Sequence, residues 1–585
     1  MLQKQKVLAC LLIFIVLFSV NIIPIGKSCK DIVITPAATV GDYSLFLKVR
    51  DPSRPGLQVL CRVPKGTQYT YHYPWTGRPW GFIVNHSFIG VATQGDTFPN
   101  IVKAGMVLTD EGLAFGDADT LSKWTNPTKN AWDDFDWIRY ACQTAENEDE
   151  AITLLTTDAI DRLHATGVSE NIFVVGPTKA VVIEADAVRY TIQNIPETLV
   201  MSNYAKDLWR TQQIRSLPIA SSYDAEKETW VRRGSIIHLE SLCGIRILGI
   251  TPSLITARVF PLFAFKNSDI EKEVTISVGE RETVGPYSVK LLEINENAAR
   301  ISLSTAEYAW EQELRNKIQP IIGNITIQDM IRWSRLHASD LDGLRPMCED
   351  RYTYEAAMVF KIPNEHVNLL SSGWFVANHA CSSIYVPVHI CDNDFYDPYQ
   401  TGEAAALSLE LLHLYGHGTL TSLCQNVENV FISENEVNEV IADQMIHYGI
   451  NITSFLTARD RSMQEQAFLT EQLWLGAPNI SRRIIENIWM GNYTNSLQRM
   501  QKAIAALNNI PASEASITTI GEIALSIGKS SIEKAAIQGR NCTEHEQEYA
   551  AADQSFRSGE CTIGFAIIQH IFDSCNTVIK GVTKP

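Results

Sequence analysis

Cys29 follows Gly26-Lys27-Ser28 at the end of an apolar N-terminal stretch. A cut before it would put a thiol and a free α-amino group on one residue. Unperturbed, those groups titrate near roughly 8.5 and roughly 7.7–8.0. The amine can then take the thiol proton near neutral pH, directly or through a water, so nucleophile and base come from a single residue. The preceding stretch has a secretory layout. Lys4 and Lys6 come before an apolar run from Val7 to about Val20, and small residues, Gly26 and Ser28, stand third-last and last before the cut. Residues 1–28 therefore read as a signal peptide or propeptide, and the protein as secreted or extracytoplasmic. A disulfide is the plain alternative for a cysteine in an exported chain. Lipid attachment is another, and Gly26-Lys27 suits it poorly.

Strands have to hold such a residue. Asp31-Ile-Val-Ile-Thr35 and Tyr43-Ser-Leu-Phe-Leu-Lys-Val49 are short β-rich runs separated by Gly41-Asp42, a turn signal. The pair reads as a hairpin carrying Cys29 at one end and Arg50-Asp51 at the other. Further strands are expected at 81–84, 88–91, 112–115, 171–175 and 180–184, with helices over 136–145 and 148–155 between them. Lys272 to Glu293 reads as a β excursion, and 358–360 and 383–388 as strands. From about 400 the pattern turns helical, over 402–414, 434–446 and 496–507. Strands, helices and more strands indicate an α+β layered fold with antiparallel sheets.

Composition narrows the class. The chain has 585 residues, 45% of them apolar and 20% charged, enough for a large domain with additions or for two to three domains. A net charge of −17 without basic blocks argues against a nucleic-acid groove. A membrane association is expected only if the N-terminal segment is retained. Of the twelve cysteines, Cys10 falls in the leader and Cys29 at the cut; the other ten permit bridges, above all within the Cys542–Cys575 tail. Six Asn-x-Ser/Thr sequons, at Asn85, Asn324, Asn451, Asn479, Asn492 and Asn541, suit a secretory route. No CxxC pair exists, and His413 and His417 lack a third ligand at helical spacing, so no metal site is expected.

Cys29, Lys48-Val-Arg-Asp51, Asp110-Glu-Gly-Leu-Ala-Phe-Gly116, the run Asn171 to Ala185 and Met201-Ser-Asn-Tyr204 occur in that order. Their order and spacing resemble the N-terminal-nucleophile cysteine hydrolases, which include secreted dipeptidases, choloylglycine hydrolases and penicillin V acylases. The run Gly373-Trp-Phe-Val-Ala-Asn-His-Ala-Cys-Ser-Ser-Ile-Tyr-Val-Pro-Val388 is similar to one in the dipeptidase branch. The resemblance implies a four-layer αββα sandwich over 29–400, with a mainly helical region over 401–585. It implies no cofactor, and a small amide or short peptide as substrate. Self-association stays open.

The same resemblance assigns roles. Cys29 is the nucleophile, Asp51 orients the α-amine, and Asn203 serves the oxyanion. The family's Arg-Asn-x-Asp pattern reads Lys48-Val49-Arg50-Asp51 here. Lys48 and Arg50 both compete for the basic role, and Arg50 is favoured because a bulge before Pro52 could bring its guanidinium beside Asp51. Asp119 stands where some relatives have asparagine, and a distal arginine maps to Arg232 or Arg233. The expected activity is amide hydrolysis through a thioester, dipeptidase-like. Acyl amides such as bile-salt conjugates, N-acyl amines or penicillin V are the alternative. An inactive extracellular binding protein on the same fold is the rival from another class.

Overall fold

The computed structural model describes residues 29–50, 56–95, 105–120, 130–211, 226–237, 243–261, 273–284, 287–348 and 354–476, with scattered positions in 122–128 and 525–575. The chain divides into two units. One spans Ile219–Ala306, and the other is Ser28–Pro218 together with Glu307–Pro585.

Two large antiparallel sheets build the larger unit, beside a two-stranded one of Gln68–His72 and Pro79–Ile83. In the first, β1 (Lys30–Ile34) and β2 (Tyr43–Arg50) lie side by side, flanked by Thr198–Ser202 next to β1 and by Ala356–Pro363, Ser372–Val376 and Val386–His389 beyond β2. The second has seven strands, in the order 190–194, 180–185, 170–175, 114–119, 106–109, 88–93, 58–63. β2 shows why they stack. Both of its faces are buried, so apolar residues fall at consecutive positions rather than alternating with polar ones. Ser44, Phe46 and Lys48 share one face. Phe46 meets Phe173 of the second sheet with ring centroids 5.7 Å apart, and the Ser44 hydroxyl donates to the Gly176 carbonyl at 2.9 Å. A Cβ on Gly116 would lie 2.5 Å from the Phe46 ring, so only glycine lets the strand Ala114–Asp119 come this close to β2.

The other face of β2, with Leu45, Leu47 and Val49, is left to the helix Ile327–Ser334. The long helices Thr421–His447 and Thr453–Gly476 pack on Val386–His389. Helices beyond residue 400 thus share one core with the first sheet. On the far side of the second sheet, the helix Asp134–Cys142 and the π-helical turn Leu154–Arg162 cover Phe115, Val174 and Ile183.

Some expected elements change. The helix expected over 434–446 runs from Thr421 to His447, and the one over 496–507 lies outside the described residues. Of the strand expected over 383–388, only Val386–His389 forms, and 377–385 is turn. The β excursion expected within 272–293 belongs to the smaller unit, which holds two four-stranded antiparallel sheets around Ile245, Val259, Ile276, Tyr287 and Ile301. Among the described residues no helix is long and apolar enough to cross a membrane.

Candidate active site

The pairing of β1 with β2 sets Lys30 opposite Val49 and Asp31 opposite Lys48. One step outward, Cys29 therefore stands beside Arg50. The two chain ends of the expected hairpin lie side by side at its open end. On its other side β1 pairs Lys30 with Ser202, which puts Asn203 next to Cys29. Strand alternation places Cys29, Asp31, Lys48 and Arg50 on the single face that looks at the second sheet.

Lys48 is fully buried there. Its Nζ lies 3.6 Å from Asp31 Oδ1 and 3.5 Å from Asp117 Oδ1, and its charge acts on the Cys29 thiol. Burial would lower the lysine's pKa, but Asp31, Cys29 and Asp117 together raise it above the usual range, so Lys48 stays an ammonium. Burial pushes the Cys29 thiol up to about 12. Lys48 opposes that shift, while Asp117, Asp31 and Asp119 add to it. The residue nevertheless keeps a partly exposed edge. Burial also lifts Asp31 to about 8, with Lys48 pulling it down. Asp134 and Glu170 are raised well above the carboxylate range, first by burial and then by neighbouring carboxylates.

Arg50 does not take the basic position beside the thiol. Its guanidinium donates to Gln58 Oε1 at 3.2 Å and sits 4.8 Å from the centre of the Phe135 ring, both on the second sheet's side. The β1–β2 register runs without a bulge to Val49, so nothing re-aims Arg50. Lys48, one pair further in on the same face, places its ammonium between Asp31 and Asp117. Asp51 lies outside the described residues. Arg232 and Arg233 belong to the smaller unit, exposed at the turn that ends the strand Lys227–Arg232.

Asn203 donates one amide N–H to the Asp119 carbonyl oxygen at 2.8 Å. Its second N–H remains for a ligand oxygen at the edge by Cys29. Two residues inside the recognised runs hold this end in place. Asn171 donates to the carbonyls of Ser202 at 2.7 Å and Tyr204 at 3.1 Å. Glu184 accepts the backbone N–H groups of Asp207 at 2.6 Å and Leu208 at 2.7 Å, satisfying the first turn of the helix Lys206–Thr211. The Asp119 side chain is exposed at its strand's end.

Sequence reasoning missed Asp31 and Asp117. The signal for Asp31 was its place two residues after Cys29 on a strand. Asp117 carries no such signal, since only sheet stacking brings it to Lys48.

The run 373–388 is buried throughout. Arg335 donates to the carbonyls of Ala380 at 2.6 Å and Ser383 at 3.1 Å and pairs with Glu428, which accepts the Tyr385 N–H. Glu471 accepts from the Ile384 N–H and the Ser383 hydroxyl, both at 2.7 Å. The run is a packed belt and offers a substrate no exposed side chain. No disulfide joins any described cysteines; within the Cys542–Cys575 tail, where bridges were most expected, Cys542 and Cys575 are free thiols and Cys561 lies outside the described residues. Four side chains suited to a metal, from Cys348, Cys381, His337 and His417, lie together near this belt. His413 is exposed and apart from them.

No family model matches the chain, and no curated protein does. Solved structures similar to it include a mutant form of the conjugated bile acid hydrolase from Clostridium perfringens. That match has 9% identity and a TM-score of 0.30, and covers 63% of this chain and 90% of that one. Another is the penicillin V acylase from Agrobacterium tumefaciens, with 9% identity, a TM-score of 0.27, and coverage of 62% and 86%. At these scores neither likeness decides a function, which rests on the chain's own side chains.

Proposed function

We propose that this chain is an exported N-terminal-nucleophile cysteine amidohydrolase whose mature form begins at Cys29. The observation that carries the reading is the buried Lys48 ammonium on the same sheet face as Cys29, held by Asp31 and Asp117, with Asn203 beside Cys29 on the neighbouring strand. A cation fixed beside a thiol favours the thiolate, the reactive form. The succession of helix, sheet, sheet and helix in the larger unit supports a four-layer sandwich, which would present a chain start at an open sheet end.

With residues 1–28 attached, burial keeps the thiol protonated at neutral pH. Removing them would supply the α-amine, the missing base. The thiol proton passes to this amine, and the sulfur attacks the amide carbon. Charge on the carbonyl oxygen is met by the second N–H of Asn203. The α-ammonium returns its proton to the departing amine, leaving a thioester. A water, giving its proton to the same amine, then releases the carboxylic acid and restores the thiol.

A short peptide with a free N-terminus suits the mouth better than a bile-salt conjugate. The exposed Asp119 carboxylate stands one hydrogen-bonded step from Asn203, where it can receive an ammonium group. The test is hydrolysis by the mature protein of a dipeptide and of its N-acetylated form, with intact mass taken in parallel. The proposal expects a mature chain starting at Cys29, acyl-enzyme mass on that residue, and preference for the free amine. An active chain that retains residues before Cys29 would sink it.

A further inference from the structure

We propose that Cys348, Cys381, His337 and His417 form a tetrahedral site for a zinc-type divalent metal ion, built into the helix-covered side of the first sheet. The Sγ atoms of Cys348 and Cys381 are 3.3 Å apart, far beyond the ~2.05 Å of a disulfide. Cys381 Sγ lies 3.4 Å from His417 Nδ1. The ligand atoms of His337, Cys348 and Cys381 all fall within 4.8 Å of one another. Bonds of about 2.3 Å to sulfur and about 2.0–2.1 Å to nitrogen, in a tetrahedron, put ligand atoms roughly 3.3–3.8 Å apart. The Cys381–His417 separation falls in that range, the two sulfurs lie slightly closer, and His337 is within 4.8 Å of both.

The donor set selects the metal class. Two thiolates with two imidazoles are a soft, nitrogen-and-sulfur set of the zinc type, not one for calcium or magnesium, which want oxygen. Both cysteines are completely buried, and the two histidines are half-buried, so the donors close the site inside and reach solvent at its rim. A closed four-protein-ligand site is structural in character.

The surroundings are those of a prepared site. His417 stands between Gly416 and Gly418, whose φ values of 73° and 76° are left-handed, so the turn between two helices is shaped around this imidazole. Arg335, bound to Glu428, fixes the backbone around Cys381 through the Ala380 and Ser383 carbonyls. Behind the donors, His379 Nδ1 is 2.9 Å from Glu355, which also accepts from the Cys348 thiol and lies 3.7 Å from Lys30 on β1. His379, which also lies within 4.8 Å of Cys348 and His417, is held in place by the Glu355 carboxylate. Through Glu355, the site adjoins the strand that starts at Cys29.

The experiment uses the full-length chain, purified without chelator. Elemental mass spectrometry is expected to find zinc close to one per chain. Cobalt replacement should give the intense visible bands of a tetrahedral ion with thiolate charge transfer. The Cys348→Ser/Cys381→Ser variant should lose the metal, whereas Cys142→Ser keeps it. If the double variant fails to fold, the wild type still decides the matter, because a zinc chelator should expose two additional thiols to a disulfide reagent. Metal-free protein that takes up no cobalt would overturn the proposal, as would a Cys348–Cys381 disulfide in a non-reducing peptide map. The Cys29→Ser variant should keep its metal, so this test stands apart from the hydrolase reading.

Discussion

β1 separates two cysteine clusters that use the same element differently. On the side facing the second sheet, one thiol, Cys29, sits with an ammonium and carboxylates, and the residue keeps an exposed edge. On the helix side, reached through Lys30 and Glu355, two fully buried thiols sit with imidazoles. A lone thiol beside a fixed cation is poised to react. Paired thiols converging with histidines are poised to bind. The neighbours of the sulfur and its access to solvent separate reactivity from structure, because the thiolate needs both electrostatic support and a substrate path.

The sharpest way to break the contrast is at the thiols. Cys29→Ser should lower kcat/KM by on the order of 10³-fold or more while leaving the thermal midpoint and metal content unchanged, since a hydroxyl is a poor nucleophile of nearly the same size. Equal activity in the variant and the wild type would remove Cys29 from the reactive role.

Next comes the choice of cation. Lys48→Gln should cut turnover about 10²-fold, because it removes a fixed charge from the site. It should also move the pH profile of Cys29 alkylation upward, since Lys48 is the group that lowers this thiol's pKa. Arg50→Gln should keep most activity and lose about 1 kcal/mol of stability from its Gln58 and Phe135 contacts. If Arg50→Gln were the crippled variant, the assignment of Lys48 would fall.

A stability effect without a chemical one is expected on the other side. Glu355→Gln leaves Lys30 buried without its carboxylate, at a cost of about 3 kcal/mol in denaturant unfolding. Activity per folded molecule should persist, and a parallel collapse of kcat would mean that the two sides of β1 are not separable.

The smallest expected effect concerns pH. Burial raises Glu184 from 4.5 to about 7, with the Leu208 and Asp207 N–H groups opposing. A carboxyl whose folded pKa is raised contributes stability that is fully present below about 4.5 and is lost as pH rises through about 7. Glu184→Gln keeps an acceptor for the two N–H groups, so its unfolding midpoint should fall less between pH 4.5 and 7, by on the order of 1 kcal/mol. An unchanged slope would show that Glu184 does not titrate in that window.

Much of the site was legible because its signals are local. Cys29 after a secretory-type stretch, the two β-rich runs and Met201-Ser-Asn-Tyr204 each announce themselves within a few residues. The hairpin that the two runs suggested is present as β1 and β2, and the structure adds Thr198–Ser202 beside β1. The choice between Lys48 and Arg50 was not legible. Both occupy one face, and only the continuous register and the reach of each side chain separate them. The buried belt was misleading for a similar reason, since its motif could be read in the sequence but its burial could not.

What the sequence alone determined is a cysteine at a strand start after a secretory-type stretch, the strands that carry it and a net charge of −17 without basic blocks. These follow from residue order and from side-chain period, which act over a few residues. Only the tertiary structure decided that Lys48 lies between Asp31 and Asp117, and that Cys348, Cys381, His337 and His417 converge. Each of those sets draws on segments far apart in the chain, brought together by sheet stacking and helix packing, and no spacing along the chain encodes that approach.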